Sequence, residues 1–141
     1  MLKVTCAIVI QRNKTLVTQR NSGSDHPLKW EFPGGKLMPG ETVEECIIRE
    51  IREELEIEIE ILELMVSVDY DYGSKQIELI PFLCAIKSGE TKLNEHNDFD
   101  WVIFRNLEKI DFAAADQKLI QHPGNKGILK KYLWKNMNDS C

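Results

Sequence analysis

The sequence predicts an α+β domain, with one mixed β-sheet carrying helices on both faces. Three observations lead there. Apolar, β-branched stretches recur at Lys3–Ile10, Thr15–Arg20, Glu56–Tyr72, Lys75–Lys87 and Asp100–Phe104. A helical pattern with a start signal interrupts them from Thr42 to Leu55. A second helical pattern begins near Asp111, after the last strand. Strands, a central helix, more strands and a late helix place apolar helix stripes against both sides of a sheet.

Taken in order, "KVTCAIVI" reads as a buried strand, "QRNK" as a turn and "TLVTQR" as its hairpin partner. "NSGSDHP" is a loop. "KWEFPGGKLMPGE" holds too many Pro and Gly residues for regular structure, and Trp30 and Phe32 anchor it as a shaped binding segment. Thr42 is the N-cap of the central helix, with Glu45 completing a capping box. Val43, Ile47, Ile48, Ile51 and Leu55 form its apolar stripe. "EIEIEILELMVSVDYDY" alternates as one long strand. Gly73 turns the chain into "KQIELIPFLCAIK", where Pro81 marks a bulge or an edge. "SGETKLNEHNDF" is a loop, "DWVIF" a short strand and "DFAAADQKLIQ" the second helix. "HPGN" ends it, and "KGILKKYLWKNM" forms a terminal amphipathic helix through Ile128, Leu129, Tyr132 and Leu133. The 141 residues fit a single domain, 1–141, with 122–141 as a C-terminal helical extension.

The formal net charge of -5 argues against a general binder of nucleic-acid polymers or anionic membranes. It does not exclude a small polyanion held through a divalent metal, which reverses the local sign. No apolar run reaches the roughly 18 residues of a membrane span. The N-terminal stretch reads as a hairpin, with no small-residue cleavage site. Cys6, Cys46, Cys84 and Cys141 show no CxxC spacing and read as free thiols in a reducing cytoplasm.

"REIREELE", Arg49–Glu56, gathers Glu50, Glu53 and Glu54 at spacings of three and four. On a helix these fall within an arc of roughly 100°, beside the apolar stripe. Like charges so placed repel, and the repulsion grows where they are desolvated. A hard divalent cation such as Mg²⁺, or Mn²⁺ in its place, relieves it, because carboxylate oxygens are its preferred ligands. A solvated acidic helix face is the plainer reading of three glutamates alone. The Gly-rich loop just before the helix favours the metal, since its backbone can approach a ligand closely.

"GKLMPGETVEECIIREIREELEI", Gly35–Ile57, resembles the Nudix box. Gly35, Glu41, Arg49, Glu50, Ile51, Glu53, Glu54 and Ile57 fit its pattern, while Glu56 stands where that pattern has Gly. "WEFPGGK", "DYDYGSKQIEL", "LNEH" followed by "WV", and "AAADQKLI" extend the likeness to the MutT-like branch, from about Leu2 to Ile120. The resemblance implies an α/β/α sandwich around a mixed sheet. It implies Mg²⁺-dependent hydrolysis of a nucleoside triphosphate to the monophosphate and pyrophosphate. Carried over by position, Glu50, Glu53, Glu54 and the Gly35 carbonyl would hold metal. Arg49 would orient the glutamates, Glu41 would support the loop–helix junction, and Glu53 would be the general base. Glu95 and Asp100 are rival bases from the loop before Trp101. Arg20, Phe32, Tyr72, Lys75 and Asp116 would surround the nucleotide, with Phe32 and Tyr72 packing on base or sugar and Arg20 and Lys75 meeting phosphate or base oxygens.

Asp116 stands where the 8-oxoguanine-specific pattern has Asn, and a related CTP and modified-dCTP branch has "AD". An ionised Asp only accepts hydrogen bonds and suits an amino donor such as that of cytosine, whereas a protonated one would also serve an oxidised purine. Asp116 is equally an ordinary helix N-cap. Two substrate readings stand: an oxidised nucleotide such as 8-oxo-dGTP, or CTP and 5-substituted dCTP. A non-catalytic nucleotide sensor is the reading from another class. The resemblance leaves monomer and homodimer both open.

Overall fold

The structure is a computed structural model that describes residues 1–24, 26–94 and 96–139, the last six by backbone alone. Glu95 and Cys141 lie outside the described residues.

Strand β1 (Leu2–Gln11) is the spine. It turns at Arg12 and Asn13, both at positive φ, into β2 (Lys14–Gln19). Two positive-φ residues match the right-handed twist of the flanking strands, as a tight hairpin requires. Two short strands follow, β3 (Trp30–Glu31) on β2 and β4 (Gly34–Lys36) on β1. They correct the expectation of a wholly irregular loop: Gly34 sits so close to Thr5 that a Cβ would meet its carbonyl oxygen at 2.0 Å, so the glycine permits pairing there.

Helix α1 (Val43–Leu55) begins as expected, with Thr42 as N-cap and both capping-box bonds to Glu45 present. The single long strand expected after it is two strands, β5 (Glu58–Leu64) and β6 (Val68–Asp71). Both pair antiparallel with β7 (Gln76–Ser88), which runs parallel to β1. Pro81 lies where β5 gives way to β6; its carbonyl accepts from Met65 N–H. The strand is central, not an edge, and the break in its partner accommodates the missing proline donor. Strand β8 (Asp98–Ile103) pairs with β2, completing a mixed sheet of eight strands among the described residues.

Alternation along β1 builds the two layers. Ala7 and Val9 face α1, packing with Leu16, Ile47, Ile51, Leu55 and Phe82. Cys6, Ile8 and Ile10 face the other way, toward Leu107 of a 3-10 helix (Phe104–Lys109), α2 (Ala114–Gln121) and α3 (Pro123–Asp139). Helix α3 starts earlier than expected: "HPGN" ends α2, but Pro123 is suited to a first helical position, and His122 Nδ1 accepts from Gly124 N–H. Buried Asn125 then clamps α3 to the β5–β6 break. It accepts from Val66 N–H at 2.8 Å and donates to the carbonyls of Val66 and Leu119. Leu129 and Leu133 of α3 lie fully inside the core.

Helix α1 ends at Glu56 in the left-handed region, φ 57. The turn that glycine makes in the box is therefore made here by glutamate, at a conformational cost. Glu56→Gly is expected to stabilise the fold by about 0.5–1 kcal/mol, read as a higher urea midpoint; part of the relief is offset by the freer unfolded chain.

Candidate active site

The three box glutamates divide by depth. Glu54 is buried at 7% exposure, the Glu50 side chain is 15% exposed and that of Glu53 is 60% exposed. Glu50 and Glu54 lie at the core boundary beside the apolar stripe, while Glu53 stands out in solvent. Arg49 organises the rest. It grips Glu41 with two bonds, Nε–Oε2 at 2.6 Å and Nη2–Oε1 at 2.9 Å, and its Nη1 reaches Glu50 at 2.9 Å and Glu53 at 3.2 Å. The Arg49 hydrogen bonds, with the Met38 N–H behind them, hold the Glu41 carboxyl down at about 2. One guanidinium thus offsets the repulsion among three carboxylates. Among the described residues, no group of three His, Cys, Asp or Glu side chains is gathered to hold a metal ion.

Gly35 touches this cluster through its missing side chain. A Cβ there would meet the Glu50 carboxylate at 2.4 Å. Its carbonyl accepts from Thr5 Oγ1 at 3.2 Å and from the Cys46 thiol at 3.7 Å. The donor set fits a hard divalent cation: carboxylate oxygens on one helix, and a peptide oxygen on β4 whose glycine leaves them room.

A cavity of about 340 Å³ opens beside the loop and reaches from Gly34, Gly35 and Lys36 to Asp116. Arg20, Phe32, Tyr72, Lys75 and Asp116 all line it, so the five residues expected around a nucleotide share one space. Phe32 is nonetheless mainly a core residue, 3% exposed and stacked on Phe112 with centroids 5.0 Å apart. The Tyr72 hydroxyl accepts from Ala115 N–H, and its ring lies against His26 and Tyr70. Lys75 stands exposed at the rim. Asp100 is elsewhere: it lies on β8 and lines a separate depression with Lys14, Asn106 and Lys109, not this cavity.

A family model described as the NUDIX domain matches residues 1–123. The chain belongs to the NUDIX domain family. It is 31% identical over 123 residues to the 8-oxo-dGTP diphosphatase of Escherichia coli (strain K12), covering 85% of this chain and 95% of that protein. It is equally 31% identical over 121 residues to the CTP pyrophosphohydrolase of the same strain, covering 86% and 90%. The solved structure of the E. coli ORF135 protein superposes with a TM-score of 0.75 at 31% identity, covering 86% of each chain.

In this NUDIX domain the sequence reading missed two residues, Glu31 and His96. Glu31 lines the cavity between Arg20 and Asp116, and His96 bonds it from behind. Burial pushes Glu31 up, but the hydrogen bonds from His96 and Arg20 outweigh it and hold the carboxyl below its usual range. Asp116 goes the other way. It occupies the first turn of α2, not the N-cap, which is Ala113. Burial, reinforced by the nearby Glu31 charge, pushes it up to about 8, although Phe32 N–H donates to its Oδ2 at 2.9 Å. Asp116 is therefore a neutral acid near pH 7, with one oxygen accepting and one O–H to donate.

The unfolded chain releases this proton near pH 4 and the folded chain near 8. The stability contributed by the bound proton is complete below about pH 4 and is lost as the pH rises through about 8. Asp116→Asn keeps an acceptor for Phe32 N–H and has no proton to lose. Its melting temperature is expected to exceed that of the parent increasingly as pH rises from about 4 to 8. Parallel melting curves across that range would refute the protonated state.

Proposed function

We propose that this chain hydrolyses a nucleoside triphosphate to the monophosphate and pyrophosphate, with an oxidised deoxyguanosine triphosphate such as 8-oxo-dGTP as first substrate. The observation that carries it is a cavity that reaches from Gly34 and Gly35, beside the Glu50 carboxylate, to a neutral, donating Asp116. A reactive end and a base-reading end are then joined by a space sized for one nucleotide. Asp116 offers the donor-plus-acceptor pattern of the Asn in the 8-oxoguanine pattern, which supports the oxidised purine. Glu31 favours the second reading: an ionised acceptor in the same cavity suits an exocyclic amino donor, as in CTP or 5-substituted dCTP.

Glu50, Glu53, Glu54 and the Gly35 carbonyl would hold a divalent cation, Mg²⁺ first and Mn²⁺ in its place. A cation held there would supply neutralisation of phosphate charge and activation of the attacking water. Glu53, the most exposed of the three, takes the proton of the water that attacks phosphorus. Arg49 keeps Glu41, Glu50 and Glu53 oriented. Arg20 and Lys75, on the cavity wall, meet phosphate or base oxygens. The charge of -5 supports a single nucleotide as partner, not a nucleic-acid polymer. Among the described residues no helix is long and apolar enough to cross a membrane. Buried free thiols at Cys6, Cys46 and Cys84 suit a reducing cytoplasm.

A panel of normal and oxidised nucleoside triphosphates, with pyrophosphate detection in Mg²⁺, tests this. The fastest turnover is expected on 8-oxo-dGTP. Preference for CTP or modified dCTP selects the second reading, and equal rates on all substrates defeat both.

A further inference from the structure

Arg20 lines two spaces at once. One is the nucleotide cavity, and the other is a smaller cleft of about 200 Å³ shared with Gly34, Glu54 and His96. A triphosphate running from a base near Asp116 to Glu54 would cross this boundary. The guanidinium is held by Glu31, whose Oε1 accepts from Arg20 Nη1 at 2.7 Å. The other oxygen of Glu31 lies 2.9 Å from His96 Nε2.

His96 is fixed with care. Its side chain is 6% exposed. Asn94 anchors the segment to the end of α1, giving its N–H to the Glu54 carbonyl and its Nδ2 to the Glu53 carbonyl at 2.7 Å. On the other side Asn97 gives its N–H to the Gln19 carbonyl at 2.8 Å and its Nδ2 to Gln19 Oε1 at 2.7 Å. A histidine that donates from Nε2 to ionised Glu31 leaves Nδ1 as an acceptor. That Nδ1 is buried with no hydrogen-bond partner among the described residues. A buried polar atom without a partner costs stability, which packing alone does not explain.

We propose that His96 is a positioning residue for substrate phosphates: through Glu31 it fixes the Arg20 guanidinium at the boundary between the cavity and the cleft. The proposal rests on the nucleotide reading of that cavity. Without His96, Glu31 has one holder fewer, so the guanidinium it grips is placed less firmly before substrate arrives. Glu53 is bonded to Arg49 and stands outside this chain of contacts, so the loss falls on binding more than on the chemical step.

Steady-state kinetics on the best triphosphate of the panel test it. His96→Ala is expected to raise KM about tenfold and to lower kcat by no more than about threefold, the scale of one charge-assisted hydrogen bond. His96→Gln, whose side-chain amide donates as Nε2 does, should recover most of the loss. In an Arg20→Ala background, His96→Ala should leave KM where Arg20→Ala has put it. If His96→Ala does not fold, His96→Asn, too short to reach Glu31, replaces it in the cycle. An unmoved KM, a loss on kcat alone, or a full additional loss in the Arg20→Ala background overturns the assignment. If the parent protein turns over no triphosphate, the nucleotide reading fails and this proposal with it; turnover with an indifferent His96 defeats the proposal alone.

Discussion

Glu53→Gln is expected to lower kcat about 10²–10⁴-fold in Mg²⁺ while the protein melts at nearly its original temperature. Both halves follow from the same geometry. The side chain is 60% exposed and its one described bond is the 3.2 Å contact with Arg49, so its removal disturbs little packing. An exposed ion pair of this kind contributes about 0–1 kcal/mol. The amide keeps the shape and one acceptor oxygen but cannot take a proton from water. Pyrophosphate release and a thermal melt on the same sample check the two halves together. Full turnover by the variant would sink the assignment of the base. Glu95→Gln is the companion measurement: a loss confined to that variant would move the base to the loop, whereas Asp100, stationed by Lys14 and Lys109, should tolerate Asn.

Ending the chain after Gln121 is expected to abolish folding. We propose that 1–141 is one domain and that 122–141, though outside most of the family match, completes its core. Leu129 and Leu133 are each 1% exposed. Losing two such side chains removes about 4–10 kcal/mol, against a total stability of about 5–15 kcal/mol for a typical domain. The same cut removes Asn125, leaving the Val66 N–H and the carbonyls of Val66 and Leu119 without it. Circular dichroism and gel filtration of the shortened chain decide the matter. A cooperative, monodisperse melt would make the segment a dispensable appendage.

These two cases mark what could be read from the sequence. Helix α1 was legible almost to the residue, because its signals are local: a capping box at Thr42 and Glu45 and a stripe at helical spacing. Even the mismatch at Glu56 fell where the backbone needs positive φ. The β5–β6 break was missed although alternation fails at Leu64–Met65–Val66, because the residue that meets the broken peptide, Asn125, lies far along the chain. Breaker-rich "KWEFPGGK" concealed two short strands for a similar reason: Gly34 pairs only because β1 comes within contact of it. At the site, the cavity residues were found through the family resemblance, but the charge of Asp116 was not. Protonation depends on burial and on Glu31, and neither appears in a list of residues. Glu31 could have been suspected inside "WEFPGG", as a lone acid among apolar and turn residues. His96 stood inside "LNEH" but was not singled out, since its meaning is its contact with Glu31, 65 positions away.

The segment after β7 closes α1 as well as carrying His96. Lys92 N–H reaches the Leu55 carbonyl, and Asn94 meets those of Glu54 and Glu53. Helix ends leave carbonyls without intrahelical partners, and these three are matched from the far side of β7. On the ribosome the acidic helix therefore emerges with its last turn open, and stays so until about forty more residues have been made. The final turn of α1, which carries Glu53 and Glu54, is among the later parts of the nascent chain to be finished, although the box itself is synthesised early.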